Sequence, residues 1–218
     1  DYIVLTSDPA KVKASYITLN PNNFVKMASF PNFGNNAGTC AISMKNATGI
    51  IDKFAYTKDM FLSLLNSTDG VSLERINFNR SSNDKTNWHC AAQTAGFGTP
   101  TYKNSQYSEG VITEDPVSVS PEVFSPDNDG YNDVLNLNYT FETPEYIATI
   151  TIYDANGRLV RDLVKSELLG TSGTFSWDGI TNDNEKARIG IYIIYFEVFD
   201  VNGNVKHYKK TAVLASKL

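Results

Sequence analysis

Cysteine is nearly absent from this chain of 218 residues, and Cys40 and Cys90 are the only two. Neither belongs to a Cys-x-x-Cys pair. His89 precedes Cys90, but two adjacent ligands without others do not make a tetrahedral zinc site. Histidine is as scarce: His89 and His207 each sit inside a strand-like run, and there is no Gly-x-Ser-x-Gly elbow to suggest a Ser–His–Asp hydrolase. Positive charge is also short. With 19 Lys and Arg against 24 Asp and Glu the net charge is -5, so no basic surface attracts phosphate backbones or anionic lipid, and nucleic acid is not an expected partner. No apolar run reaches the roughly 20 residues that span a bilayer. The longest, "IGIYIIYFEVF" from Ile189 to Phe199, is broken by Glu197 and reads as a buried strand, so membrane insertion is not expected. Helical periodicity is confined to "KDMFLSLL", Lys58 to Leu65, which lasts barely two turns.

Strand signals fill the rest. In "YIVLT", "GTCAISM", "GVSLERI", "ATITIYD", "GTFSWDG" and "KTAVLAS", β-branched and aromatic residues alternate with polar ones between Gly, Pro, Asn and Asp. The class is all-β. A polar segment from Tyr102 to Ser120 separates two halves of similar length, each near the size of one β-sandwich. The expected division is a domain at 1–108, a linker at 109–120 and a domain at 121–218. "YDANG" at Tyr153 to Gly157 and "FDVNG" at Phe199 to Gly203 each follow an alternating run, and Asn-Gly predicts a type I′ hairpin turn in both. In "WDG", Trp177 is expected in the core, while Asp178 and Gly179 turn the chain. Gly190 reads as a close approach or bulge where a strand enters the sheet. The chain opens on "DYIVLTSDP" without methionine, basic segment or signal-like run, and reads as a piece of a longer protein.

From Glu122 to Ser216 the motifs come in a distinctive order: "FSPDNDGYNDVL", "ATITIYDANGRLVRDL", "GTFSWDG", "GIYIIYFEVFDVNG", "KKTAVLAS". This resembles the Ig-like domain of the flagellar hook-cap (FlgD-like) family. It also resembles the related C-terminal domains of proteins exported by type IX secretion, including gliding-motility-associated ones. The first half is similar to the lamin tail domain, another Ig-like fold, through "DYIVLTSD", "GTCAISM", "IIDKFAY", "DGVSLERIN", "TNWHCAA" and "GFGTPTYKNS". Together the resemblances imply two Ig-like antiparallel β-sandwiches. They also imply a secreted or cell-surface protein, associated with the outer membrane of a Gram-negative bacterium. Lamin tail domains open with strands carrying "INE" and "EYVEL" patterns, and nothing like these precedes Asp1. Uncovered edge strands in the first domain are therefore expected, and with them self-association.

Candidate chemistry gathers in "SPDNDGYND", Ser125 to Asp133. Asp127, Asp129 and Asp133 could gather around calcium, yet the EF-hand register fails from either aspartate. From Asp127, position 5 is Tyr131, position 6 is Asn132 and position 12 is Asn138; from Asp129, position 6 is Val134. The competing reading is a set of tight turns whose aspartates accept backbone N–H bonds. No other cofactor is implied. "GFGTP", Gly96 to Pro100, lacks the glycines and following helix of a phosphate loop. Cys40 and Cys90 are a candidate disulfide in an exported protein, closing a loop of about fifty residues and adding up to a few kcal/mol; two buried free thiols are the alternative. Four Asn-x-Ser/Thr sequons, at Asn46, Asn66, Asn79 and Asn138, read as polar surface in a bacterial protein. The expected role is therefore non-catalytic: structural or interaction modules, and an export signal, meeting a protein partner or cell-surface component. A carbohydrate-binding module is the alternative. It would need an exposed strip of rings among Tyr102, Tyr107, Tyr131, Tyr139 and Tyr146. An enzyme would need His89 or His207 in a pocket with two carboxylates.

Overall fold

The computed structural model describes residues 2–45, 49–110 and 115–216; the sequon at Asn46 lies outside them. The chain divides into two units, Asp1–Glu109 and Gly110–Leu218. In the first, β1 (Val4–Thr6) leads into the short helix α1 (Pro9–Ser15), where the Asp8 side chain caps the Lys11 N–H at 3.1 Å and proline fills the first turn. Next come β2 (Phe24–Lys26), β3 (Ala37–Ser43), β4 (Ile50–Thr57), β5 (Leu73–Arg75) and β6 (Trp88–Cys90). They pair as three two-stranded ladders: β1 with β2 in parallel, β3 with β4 and β5 with β6 antiparallel. "KDMFLSLL" keeps only a 3-10 turn at Lys58–Met60, because the chain turns extended at Phe61.

Much of what this unit buries is polar. Beside Cys90, Ala91 and Ala92 lie Glu74, Asn87, His89, Thr101 and Gln106, all buried. The Glu74 carboxylate accepts from the Thr99 hydroxyl, from the Ser105 hydroxyl at 2.7 Å and from the Gln106 N–H at 3.1 Å. It thus ties the segment 99–106 to β5. A buried carboxylate is tolerable when several donors replace its water.

The second unit is a two-layer sandwich. Its strands are β7 (Val117–Ser120), β8 (Val123–Phe124), β9 (Leu135–Thr140), β10 (Ile147–Asp154), β11 (Leu159–Leu168), β12 (Ser172–Trp177), β13 (Gly190–Phe199) and β14 (Val205–Leu214). One sheet runs β11-β10-β13-β14-β8 and the other β12-β9-β7. Between β7 and β8 the chain changes sheet across the cis Ser120–Pro121 bond. Period-two alternation turns Ala148, Ile150 and Ile152 of β10 and Tyr192, Ile194, Phe196 and Val198 of β13 inward, to share one core with Leu135, Leu137 and Tyr139 of β9. The linker expected at 109–120 is shorter at its far end. Val117–Ser120 alternate, and Val117 is buried opposite Tyr139, so "VSVS" is a strand of the smaller sheet.

Both Asn-Gly hairpins close, but not as type I′ turns. Only the glycines take positive φ, +77° at Gly157 and +81° at Gly203, and neither Asn156 nor Asn202 does. Each turn is Asp-x-Asn-Gly with glycine at a bulge position, and the aspartate supplies what the second left-handed residue would have. Asp154 Oδ1 accepts the N–H groups of Asn156 (2.9 Å) and Arg158 (3.0 Å), and Asp200 Oδ1 those of Asn202 and Asn204 (2.9 Å each). Both carboxyls are held below the ordinary range, Asp154 chiefly by the Arg158 N–H and Asp200 chiefly by the Asn204 side chain.

Trp177 is 1% exposed, packs against Phe124 and Tyr192 at ring separations of 5.4 and 4.9 Å, and donates its Nε1–H to the Ile180 carbonyl. Trp177→Ala is expected to cost about 3–5 kcal/mol in denaturant unfolding, and a loss under about 1 kcal/mol would contradict this placement. A carboxyl whose folded pKa is lowered contributes stability that is complete above its unfolded value of about 3.9 and fades as pH falls through the lower folded value. Melting temperature should therefore drop as acid is taken below about pH 4. A double Asp154→Asn, Asp200→Asn variant should show a shallower acid slope than the parent.

Candidate functional site

The acidic segment links β8 to β9 at the rim of the sandwich, and its side chains are spent on its own backbone. Asp133 receives the N–H groups of Asn128 at 2.7 Å and Gly130 at 2.8 Å. Asp127 receives that of Asp129 at 3.1 Å, and Asp129 that of Tyr131 at 2.8 Å. Asn128, Gly130 and Asn132 all take positive φ, which Gly and Asn accept at least cost. Ser125 and Asn132 close the base of the loop at 2.9 Å.

Asp127, Asp129 and Asp133 do converge. Each offers a carboxylate oxygen within 4.8 Å of the others. A calcium ion takes six to eight oxygens. Here both oxygens of Asp133 and one on each of the other two already accept backbone N–H bonds, so the three side chains would have to share their lone pairs and other oxygens would have to complete the shell. The N–H donors already offset part of the mutual repulsion a cation would relieve.

The loop also meets the "WDG" turn. Gly179 has φ +77°, and a Cβ there would sit 2.9 Å from Pro126 Cγ and 3.1 Å from a methyl of Leu214. The aspartate of that turn, Asp178, accepts the Ile180 N–H at 3.0 Å. Two motifs some fifty residues apart thus form one rim, with Trp177 and Phe124 beneath it. Sequence alone names both motifs but carries no signal that Pro126 lies on Gly179.

The two cysteines do not meet. Cys40 is exposed on β3, whereas Cys90 is fully buried on β6, where its sulfur accepts the Leu62 N–H at 3.2 Å, and both are free thiols. The candidate disulfide is therefore not formed, since β3 is the outer strand of its hairpin and Cys90 lies in the interior. Burial pushes the Cys90 thiol up, which keeps it protonated and unreactive. His89 is buried with Nδ1 3.1 Å from the Cys90 carbonyl. His207 stands on the outer face of the five-stranded sheet with Tyr195 at 2.7 Å and Glu197 at 3.3 Å. A cleft of about 320 Å³ in the second unit lies among Asp154, Arg158, Lys186, Arg188 and Ile191. One of about 300 Å³ in the first lies among Val12, Tyr16, Glu74, Gly98 and Pro100. Neither has a histidine in its wall.

"GFGTP" is a structural loop: Gly96 caps a 3-10 turn, and a Cβ on Gly98 would fall 2.7 Å from the Tyr16 ring. Of the tyrosines singled out, Tyr139 is buried, Tyr146 packs on Phe141 at 4.8 Å, Tyr107 packs on Phe78 at 5.1 Å, and Tyr131, on the acidic loop, is 72% exposed. Trp177, being in the core, offers no face to a sugar.

Three- and five-stranded sheets closing on one core, with β7 in the first and β8 in the second, define the second unit as an Ig-like β-sandwich. Residues 118–214 match the family model of the CHU_C type IX secretion signal domain, and this half of the chain is similar to that family. The likeness of the first half to a lamin tail domain rests on its sequence motifs alone. No curated protein matches the chain. Among solved structures, PorZ, an essential bacterial surface component of the type IX secretion system of Porphyromonas gingivalis, is 21% identical with a TM-score of 0.32. The match covers 51% of this chain and 13% of that one. CopC from Methylosinus trichosporium OB3b is 16% identical with a TM-score of 0.26, covering 39% of this chain and 78% of that one. Among the described residues no helix is long and apolar enough to cross a membrane.

If the aspartates serve the loop, Asp133→Ala frees two N–H groups and should lower stability by about 1 kcal/mol in calcium-free buffer. Millimolar calcium should leave the melting temperature of the parent unchanged; a calcium-dependent rise abolished by Asp127→Asn would instead assign the cluster to a cation.

Proposed function

We propose that the second unit is the sorting signal by which the type IX secretion machinery exports this chain, and that it is read as a folded object. The observation that carries this is the family match over 118–214, which coincides with a unit whose core closes upon itself. A closed sandwich presents fixed loops and strand edges, the features a protein partner recognises. The exported chain is secreted or held at the surface, on the outer membrane of a Gram-negative bacterium. The first unit adds an interaction surface there. Neither unit is catalytic. In support, the two histidines lie in different units, and each of the two clefts described is lined without one.

Deleting 122–218 should leave the remaining chain inside the cell in a strain with the secretion system, whereas fusing 110–218 to an unrelated passenger should carry that passenger out. Export of the truncated chain at parental levels would overturn the sorting role.

A further inference from the structure

The β3–β4 hairpin is tied to the rest of the first unit through β4. On β4, Phe54 stacks on Trp88 at 3.7 Å and Asp52 pairs with Arg75 at 3.2 Å and receives the Ser82 hydroxyl, which also donates to the Lys53 carbonyl at 3.0 Å. β3 has β4 on one side and, among the described residues, no strand on the other. Of its seven residues, "AGTCAIS", six are exposed, none is charged and none is proline. Ile42 is 54% exposed. Such an edge is a template for another strand, and proteins usually guard one with lysine, proline or a bulge. The second unit does so. β8 covers β14 only at Val213 and Leu214, and the remainder of that strand carries Lys206, Lys209 and Lys210. The outer side of β3 has no such guard over its first six residues, since its register irregularity lies at Ile42/Ser43.

We infer that β3 pairs with β3 of a second copy of this chain, antiparallel and centred on Cys40. The residue sizes select the register. About a two-fold axis at Cys40, each Ile42 falls opposite Gly38, the strand's one glycine, where the copy's own Tyr56 ring already lies across the space a side chain would fill. Thr39 then faces Ala41 and Ala37 faces Ser43, so Ile42 meets no second bulky side chain of β3 and lies against the Tyr56 ring that covers Gly38. No charge opposes a charge, and a chain of net charge -5 pairs through a segment that carries none. A third and fourth strand also complete a ladder that two strands alone hold only marginally.

The register makes Cys40 the reporter. Directly opposed residues in an antiparallel pair have Cα atoms about 4.5–5.5 Å apart, within the span of a disulfide. Oxidised glutathione should therefore link two chains through Cys40, the two thiols giving up two protons and two electrons and the oxidant leaving as two reduced glutathiones. Buried Cys90 should stay reduced. Under reducing conditions, sedimentation of the full chain should move from monomer towards dimer as concentration rises, and Cys40→Ser should behave like the parent. Cys40→Lys and Cys40→Glu, each placing like charges face to face at an exposed position, should weaken association at least tenfold while leaving the circular dichroism, and the melting temperature at dilutions where the parent is monomeric, unchanged. An equal mixture of the two should recover it as a heterodimer. Monomer at every concentration, dimers indifferent to Cys40→Lys, or no recovery in the mixture would each overturn the inference. The first of these results would assign the edge to a different segment or partner.

Discussion

The second unit depends on a single constraint: a strand period of two, kept in step across β9, β10, β13 and β14. The register from Ile147 opposite Phe199 to Asp154 opposite Tyr192 runs without a slip. A one-residue shift would turn Ile150, Ile152, Ile194 and Phe196 out to water. The ten residue pairs of β13 and β14 extend that register to the third strand. With the interior settled in this way, every loop is pinned at both ends. The rim that joins the acidic segment to the "WDG" turn inherits its position from Phe124 and Trp177 below it.

The aspartates answer the question that an acidic, turn-rich sequence poses. Asp127, Asp129, Asp133, Asp154, Asp178 and Asp200 each accept at least one backbone N–H within five residues. One physical device, a short carboxylate that satisfies amides a tight turn leaves unpaired, recurs at four places on this unit. It explains why Asp concentrates where chain direction reverses, and why such concentration is a poor indicator of catalysis. A general acid or base has to be free to exchange its proton with a substrate, whereas these groups are committed to the backbone.

How much of this was legible in the sequence follows the same division. The alternation in "ATITIYD" and "IGIYIIYFEVF", the buried Trp177 and the reversal at Gly179 can be read directly, because each is a local rule with a local cause. Hairpins at both Asn-Gly pairs could be read, but their type could not. The leading aspartate changes which residue must turn left-handed. The helix at Pro9–Ser15 is signalled only by Asp8 followed by proline, a cap without a long amphipathic run behind it, directly after the strand pattern "YIVLT". "VSVS" does not stand out from the polar segment around it, because four residues are too few to show a period. Nothing local marks Glu74 as buried. Its partners lie 25 to 32 residues further on, and a glutamate within "SLER" reads as solvent-facing.

The contrast between the two units bears on what each can do. The second obtains its order from apolar packing, which is indifferent to the identity of surface side chains, so its outer face and loops are free to vary while the sandwich persists. That is the property the proposed sorting role requires, recognition of a shape. The first obtains its order from directional bonds to Glu74, Asn87 and Asp52, and its strands are mostly three residues long. Hydrogen bonds fix geometry closely, but they bury little surface, so a unit built on them leaves more of its apolar residues outside. Ile42, Met44, Ile50 and Ile51, on or beside β3 and β4, are all more than half exposed. Apolar area left outside on an unguarded strand gains stability only when a partner covers it, which is the physical ground of the pairing inferred for β3.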